Sequence, residues 1–155
     1  MRLWHKDLIQ CLPDQQLRGQ WRECCSIMKS IKENGTPNHL LVNKVTDYPP
    51  EHLYSYADIV STEMRRRGYK VDLLRFDRYM QVLCTDQMPL YEDLFAGWHD
   101  ERYLIQCIFN LEEKYDCGGI PEGEWEKIEN KYPILIPMLS IEKYLLEGGK
   151  NGKCR

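Results

Sequence analysis

Apolar residues recur at helical spacing near the start of the chain. Between residues 14 and 33 they fall on a single arc if the chain turns by about 100° per residue. The members of this apolar arc are Leu17, Trp21, Cys24, Cys25, Met28 and Ile31. Pro13 precedes the stretch, where a missing N–H costs nothing, and Asn34-Gly35 follows it with residues that tolerate a positive φ. The pattern therefore predicts a long amphipathic helix over residues 14–33.

The opposite arc of this helix is polar and carries positive charge. Its members are Gln15, Arg18, Gly19, Arg22, Ser26 and Lys29. Glu23 lies near the border between the two arcs, so we expect its carboxylate to be partly desolvated while it faces a basic surface. A charged helix face is usually only solvated, and the pattern by itself leaves that interpretation and a binding surface both open.

Two more amphipathic helices follow. The first is predicted over residues 50–67 and ended by Gly68, from the apolar positions Leu53, Tyr56, Ala57, Val60 and Met64. The second is predicted to begin near residues 98–100 and to stop at residues 117–119, from the apolar positions Tyr103, Leu104, Cys107, Ile108 and Leu111. The first of these helices ends on three arginines, which either complement the helix dipole or contact a nucleic acid: Arg65, Arg66 and Arg67.

Shorter elements complete the chain. We predict an N-terminal arm over residues 1–11 that lies against the core, and a packed extended segment over residues 40–42. Short helices are expected over residues 71–83, 121–131 and 137–146. Together these elements predict an all-α fold, a compact single domain of three main helices plus short C-terminal helices.

Composition narrows the class of protein. Of the 155 residues, 43% are hydrophobic and 29% are charged, which is ordinary for a globular domain. No apolar run approaches the ~20 residues of a membrane-spanning helix. The seven cysteines are odd in number and form no C-x-x-C pair, which favours reduced thiols in a cytoplasmic protein. No metal-ligand spacing recurs, so no metal site is expected.

Charge is distributed unevenly along the chain. The formal net charge is −3, but residues 1–80 hold 13 Lys and Arg against 10 Asp and Glu, whereas residues 81–155 hold 8 against 14. A surface that binds phosphates needs positive charge locally and does not need a basic total. The excess of basic residues in the first half therefore keeps a nucleic-acid partner open.

The N-terminal residues form a more specific pattern. Counted from the N-terminus, Leu8, Leu12, Asp14-Gln15, Leu17, Trp21 and Arg22-Glu23 resemble the endonuclease V type of pyrimidine-dimer DNA glycosylase. The likeness continues through residues 53–69 and, more weakly, through residues 99–114. It implies an endonuclease V-like glycosylase core over residues 1–118, with a C-terminal helical extension and tail over residues 119–155 in the same domain.

The resemblance implies a DNA-repair glycosylase with AP-lyase activity. In that family the free N-terminal α-amine is the nucleophile, and Glu23 stands in the position of the essential acid. The amine attacks C1′ of the damaged nucleotide and leaves an imine, and elimination then nicks the strand. An α-amine has a reference pKa of about 8, so more of it is neutral at physiological pH than of a lysine. No metal or organic cofactor is implied.

The implied site extends from the N-terminus to the third main helix. The nucleophile would be the amine of Met1, or that of Arg2 if Met1 is removed, although methionine removal normally requires a small second residue. The implied DNA contacts are Arg2, Gln15, Arg18, Arg22 and Lys114. The implied partner is double-stranded DNA with damaged pyrimidines or abasic sites. We expect a monomer that does not act at a membrane.

Two other interpretations compete with the enzyme. One is a non-enzymatic α-helical module that binds a nucleic acid or a protein. The other is a purely structural all-α protein, in which Glu23 forms an ordinary salt bridge with Arg22 or Lys29.

Overall fold

The computed structural model describes residues 1–74, 77 and 87–133. Within this part of the chain there are four α-helices and no strand: α1 (Asp14–Asn34), α2 (Pro50–Arg66), α3 (Glu101–Asp116) and α4 (Glu122–Lys131). Two 3-10 helices, Lys6–Leu8 and Asn43–Asp47, precede α1 and α2. The predicted all-α class is confirmed. No helix in the described ranges is long and apolar enough to cross a membrane.

The helix ends follow from local sequence signals. Gly35 ends α1 with a φ of 73°, and its N–H donates to the carbonyl of Ile31. Gly68 follows α2 with a φ of 84°. Asp100 caps α3, because its side chain accepts a hydrogen bond of 2.8 Å from the backbone N–H of Tyr103. The third main helix therefore begins at Glu101, slightly later than the predicted start.

Some predicted elements differ from the structure or lie outside it. Of the segment over residues 40–42, only Val42 is buried, whereas Leu40 is 89% and Leu41 is 53% exposed in a turn. The prediction of a packed extended segment was therefore wrong for the two leucines, which are apolar but exposed. The helix predicted over residues 71–83 lies largely, and the helix over residues 137–146 entirely, outside the described residues.

The N-terminal arm is part of the hydrophobic core. Its apolar residues Leu3, Leu8 and Ile9 are fully buried, as is Leu12 directly after it, together with the inner faces of α1 and α2. Burial of a leucine or isoleucine side chain stabilises a fold by about 1.5–3 kcal/mol. The arm is therefore held by the same hydrophobic effect that holds the helices together, and the position of residue 1 is set by the core.

The described part of the C-terminal extension packs on this core. Trp125 and Ile128 of α4 are buried, and the Trp125 ring stacks on Tyr115 of α3 at 5.2 Å between ring centroids. Glu124 accepts a hydrogen bond from the backbone N–H of Asp14, the first residue of α1. A side chain of α4 thus accepts from a backbone N–H at the start of α1 that has no partner within α1.

Candidate active site

The N-terminal amine and a carboxylate lie close together at one end of the arm. The amine nitrogen of Met1 is 4.0 Å from Oε1 of Glu23, and the backbone N–H of Arg2 donates to Oε2 of the same carboxylate at 2.9 Å. The side chains of Met1 and Glu23 are 25% and 33% exposed. Both oxygen atoms of Glu23 therefore face the first two residues, in a position that solvent and a ligand can reach.

The division of α1 into a buried and an exposed face explains the position of Glu23. Cys24 and Met28 are fully buried, whereas Arg22 is exposed. Glu23 lies on the border between the two faces and is partly exposed, as the sequence predicts. Lys29, on the solvent side of α1, forms an ion pair with Glu33 at 3.9 Å.

Hydrogen bonds from three helices hold residues 3 and 4 of the arm. The backbone N–H of Trp4 donates to Oε1 of Gln20 on α1 at 2.9 Å. On α2, the Tyr56 hydroxyl donates to the carbonyl of Trp4 at 2.6 Å, and on α3 the Tyr103 hydroxyl donates to the carbonyl of Leu3 at 2.6 Å. Burial raises the pKa of both tyrosines, so their hydroxyls stay protonated and can donate.

The next residues of the arm are bound through two histidines and a lysine. The Lys6 N–H donates to Nδ1 of His99 at 3.0 Å, and the Lys6 ammonium group donates to the carbonyls of Tyr91 and Glu92 at 2.6 and 2.9 Å. The His5 and His99 rings stack at 5.1 Å between centroids. Burial lowers the pKa of His99 to about 2 and also lowers that of His5. Both rings are therefore neutral at physiological pH.

Arg67 joins the arm to the start of α1. Its guanidinium group donates to the carbonyls of Leu12 and Gln10 at 2.7 and 3.0 Å and to the Asp14 carboxylate at 2.7 Å. It also pairs with the buried Glu63 at 2.6 Å. Of the three arginines at the end of α2, Arg67 therefore forms internal contacts. Its side chain is only 13% exposed, so it is not accessible to a phosphate.

The basic residues predicted to contact DNA lie on the solvent side of α1. Gln15, Arg18 and Arg22 are exposed on one face of the helix. The Arg18 guanidinium lies 5.8 Å from the centroid of the Tyr69 ring. Arg22 directly precedes Glu23, so this face borders the carboxylate without covering it.

The other two predicted contacts lie on different elements. The Arg2 guanidinium is 5.5 Å from the centroid of the Trp4 ring. Lys114 is exposed near the end of α3. It lies eleven residues beyond Tyr103, about 16 Å along the helix axis. Arg2 is thus next to Met1 in the chain, whereas Lys114 is distant from the point where α3 contacts the arm.

Other nucleophiles near the arm are disfavoured. Cys24 and Cys107 are fully buried, and burial raises the pKa of both thiols. The described cysteines are all free thiols. Among the described residues, no group of three or more His, Cys, Asp or Glu side chains is arranged to hold a metal ion. The α-amine of Met1, in contrast, lies 4.0 Å from Glu23 on a residue whose side chain is 25% exposed.

Sequence reasoning missed three residues that hold the arm. Tyr56 and Tyr103 were assigned only to apolar stripes, because nothing in a periodic pattern reports where a hydroxyl group points. Gln20 was not assigned at all. The available signal was its place at the edge of the apolar arc of α1, where a polar amide has to find a partner when it is buried.

Comparison with known proteins gives one match. A family model described as pyrimidine dimer DNA glycosylase matches residues 1–77. These residues include the arm, α1, α2 and therefore Met1, Arg2 and Glu23, whereas Tyr103 and Lys114 lie beyond them. No curated protein and no solved structure matches the chain.

Proposed function

Residues 1–77 of the chain belong to the pyrimidine dimer DNA glycosylase family, and from this premise we propose how the protein acts. It is a DNA-repair glycosylase with AP-lyase activity, which cleaves the glycosidic bond at pyrimidine dimers through an imine with its N-terminal amine. The observation that supports this most strongly is the placement of Glu23, 4.0 Å from the amine of Met1 and 2.9 Å from the nitrogen of Arg2.

The proposed reaction begins with the neutral amine. Its lone pair attacks C1′, the C1′–N bond breaks, and the bonding electron pair leaves with the pyrimidine nitrogen, which takes up a proton. The attacking nitrogen then loses a proton, and its lone pair forms the C1′=N bond of the protonated imine as the C1′–O4′ bond breaks. The electron pair of that bond goes to O4′, which takes up a proton. Removal of a proton from C2′ expels the 3′ phosphate and nicks the strand. Glu23 stabilises the positive charge that develops on the sugar and takes part in these proton transfers.

Either of two nitrogen atoms can be the nucleophile. With Met1 present, its amine is the reactive group and the nitrogen of Arg2 is an amide. If Met1 is removed, the nitrogen of Arg2 becomes the α-amine and already contacts the Glu23 carboxylate at 2.9 Å. Both states place an amine beside the same carboxylate, so the proposed chemistry does not depend on processing.

The proposed substrate is double-stranded DNA with damaged pyrimidines or abasic sites. Gln15, Arg18 and Arg22 bind the phosphate backbone along α1, Arg2 binds close to the amine, and Lys114 binds at a distance from it. A dimer weakens base stacking and pairing, which makes extrusion of the nucleotide easier and contributes to selectivity. The protein acts as a monomer in the cytoplasm.

Borohydride trapping tests this proposal. The protein is incubated with a duplex that carries one cyclobutane thymine dimer or one abasic site, reduced, and analysed on a gel, and the adduct is located by mass spectrometry. We expect a covalent adduct on the nitrogen of residue 1, or of Arg2 if Met1 is absent, and no adduct from Glu23→Gln. Duplex binding without any adduct, from protein with a verified free N-terminus, would favour the non-enzymatic binding module instead.

A further inference from the structure

We propose that Gln20 is a positioning residue for the reactive amine, which acts by holding the arm in register with Glu23. The inference rests on the proposed function and adds a residue to it. Its basis is a pair of similar contacts, in which the backbone N–H of Arg2 donates to Glu23 and that of Trp4 donates to Gln20, each at 2.9 Å.

The two contacts match the geometry of the two elements. Gln20 and Glu23 are three residues apart, so they are neighbours on one side of α1. Arg2 and Trp4 are alternate residues of the non-helical arm, and both direct their N–H groups toward α1. Gln20 therefore binds the arm at Trp4, and Glu23 binds it at Arg2. The reactive amine belongs to Met1, one residue before Arg2.

The Gln20 side chain is fixed in one orientation. It is 1% exposed, and while its Oε1 accepts from Trp4, its Nε2 lies 3.9 Å from Sγ of Cys24. The Tyr56 and Tyr103 hydroxyls hold the neighbouring carbonyls of Trp4 and Leu3. Because the Gln20 amide is buried and held in this way, it fixes the position of the Trp4 nitrogen away from solvent.

This second contact separates positioning from chemistry. The Glu23 carboxylate has to interact with the sugar and exchange protons during the reaction, which weakens its bond to the arm. Gln20 takes no part in those steps, so its bond to Trp4 can persist while Glu23 changes partners. Without Gln20, the contacts described above between α1 and the N–H groups of the arm would depend on Glu23 alone, while Tyr56 and Tyr103 would still hold the carbonyls of Trp4 and Leu3.

The test compares three changes at this position in the full chain. Gln20→Met has a similar length but no oxygen acceptor, Gln20→Asn withdraws the amide by one methylene group, and Gln20→Glu retains an oxygen at the same reach. Gln106→Met on the exposed side of α3 is the matched control. The measurements are the single-turnover rate of borohydride trapping on abasic-site duplex, the dissociation constant for the same duplex, and the thermal unfolding midpoint.

We expect Gln20→Met and Gln20→Asn to trap about 10- to 100-fold more slowly, because a misplacement of about 1 Å costs rates of this order. Their affinity for duplex should change by less than about twofold, since positioning affects the reaction step and not ground-state binding. Gln20→Glu should restore most of the rate, and Gln106→Met should leave it unchanged.

Several outcomes would overturn the inference. Trapping by folded Gln20→Met or Gln20→Asn at the wild-type rate would show that the contact does not position the amine. Equal slowing in Gln20→Glu would show that the acceptor oxygen is not what matters. If Gln20→Met does not fold, Gln20→Asn and Gln20→Glu decide the question. Absence of an adduct from the wild-type protein would overturn the proposed function itself, and this inference with it.

Discussion

At the scale of single residues, Glu23 combines two roles that a substitution can separate. Glutamine at this position retains an oxygen that can accept from the Arg2 N–H but removes the charge that the proposed reaction needs. One third of the side chain is exposed, so loss of its charge does not leave a buried group without a partner. A variant with Gln at position 23 is therefore expected to keep the arm in place while it loses the chemistry.

The buried histidines give the folded chain a dependence on pH. Burial lowers the pKa of His99 to about 2 and that of His5 in the same direction, whereas a histidine in the unfolded chain titrates near 6.5. Below about pH 6.5 the unfolded state therefore binds protons that the folded state does not. The free energy of unfolding should be fully retained above this pH and should fall by up to about 1.4 kcal/mol per pH unit for each histidine.

Urea unfolding at pH 7.5 and pH 5.5 checks this expectation. We expect the wild-type protein to lose about 1–3 kcal/mol between the two pH values. His99→Gln can still accept from the Lys6 N–H, so it should fold and lose less on acidification. His39→Gln, at a partly buried position away from the arm, is the matched control and should behave as wild type. The same loss in His99→Gln as in wild type would assign the pH dependence to other groups.

At the scale of elements, the arm and α1 depend on the end of α2. Arg67 is 13% exposed and contacts Glu63, which is 5% exposed, as well as arm carbonyls and the first residue of α1. Without Arg67, Glu63 would still pair with Arg66 at 2.7 Å, but the carbonyls of Gln10 and Leu12 would lose this charged donor. Arg67 therefore connects three elements, and its loss should affect the fold before it affects any contact with DNA.

Arg67→Ala should lower the free energy of unfolding by about 1–3 kcal/mol, because it removes a charged donor from several acceptors at once. Arg67→Lys should recover only part of this, since an ammonium group cannot reproduce the several directed bonds of a guanidinium group. The matched control is Arg65→Ala, because exposed Arg65 contacts only Thr62 among the hydrogen bonds seen for its side chain in the described residues, and we expect it to change stability by less than about 0.5 kcal/mol. Equal losses in the two alanine variants, measured by urea unfolding, would contradict the assignment.

At the scale of the whole molecule, a chain with a net charge of −3 has to bind DNA through a local surface. The surface that we propose is the exposed face of α1, on which Arg18 and Arg22 lie. Release of counterions from the DNA makes such binding steeply dependent on salt. The slope of log K against log salt therefore reports how many cations contact phosphates.

Arg18→Gln and Arg22→Gln should each reduce the magnitude of that slope by about one. Lys127→Gln makes the same change of charge at an exposed position of α4 and is expected to leave the slope unchanged. Fluorescence anisotropy with a fixed duplex across a series of salt concentrations measures all three. A slope that responds equally to Lys127→Gln would show that binding follows overall charge and not the α1 face.

Some of the residues that hold the arm lie outside residues 1–77, the segment that the family model matches. The amine, Glu23 and Gln20 lie within residues 1–77, but the hydroxyl that holds the Leu3 carbonyl comes from Tyr103, and His99 binds the N–H of Lys6. Residues from α3 and the turn before it are therefore needed to place the arm. The matched segment contains the groups that we propose to react, whereas the arm that carries the amine is also held by residues outside that segment.

The sequence alone determined the features that depend on neighbouring residues. The two faces of α1, its end at Gly35, the border position of Glu23 and the exposure of Arg18 and Arg22 all follow from helical spacing and from cap residues, which act within a few positions. The apolar arm was also predicted to lie against the core. These features are local, so a periodic pattern contains enough information to place them.

Only the tertiary structure decided which groups meet across the chain. The contact from Trp4 to Gln20 spans 16 residues, that from Leu3 to Tyr103 spans 100, and that from Leu12 to Arg67 spans 55. A glutamine or an arginine on a helix has the same spacing whether it is solvated or buried, and a tyrosine in an apolar stripe does not reveal its hydroxyl partner. Burial of Gln20 and Arg67, and exposure of Leu40 and Leu41, arise from how the arm, the helices and the connecting turns pack, which no local pattern specifies.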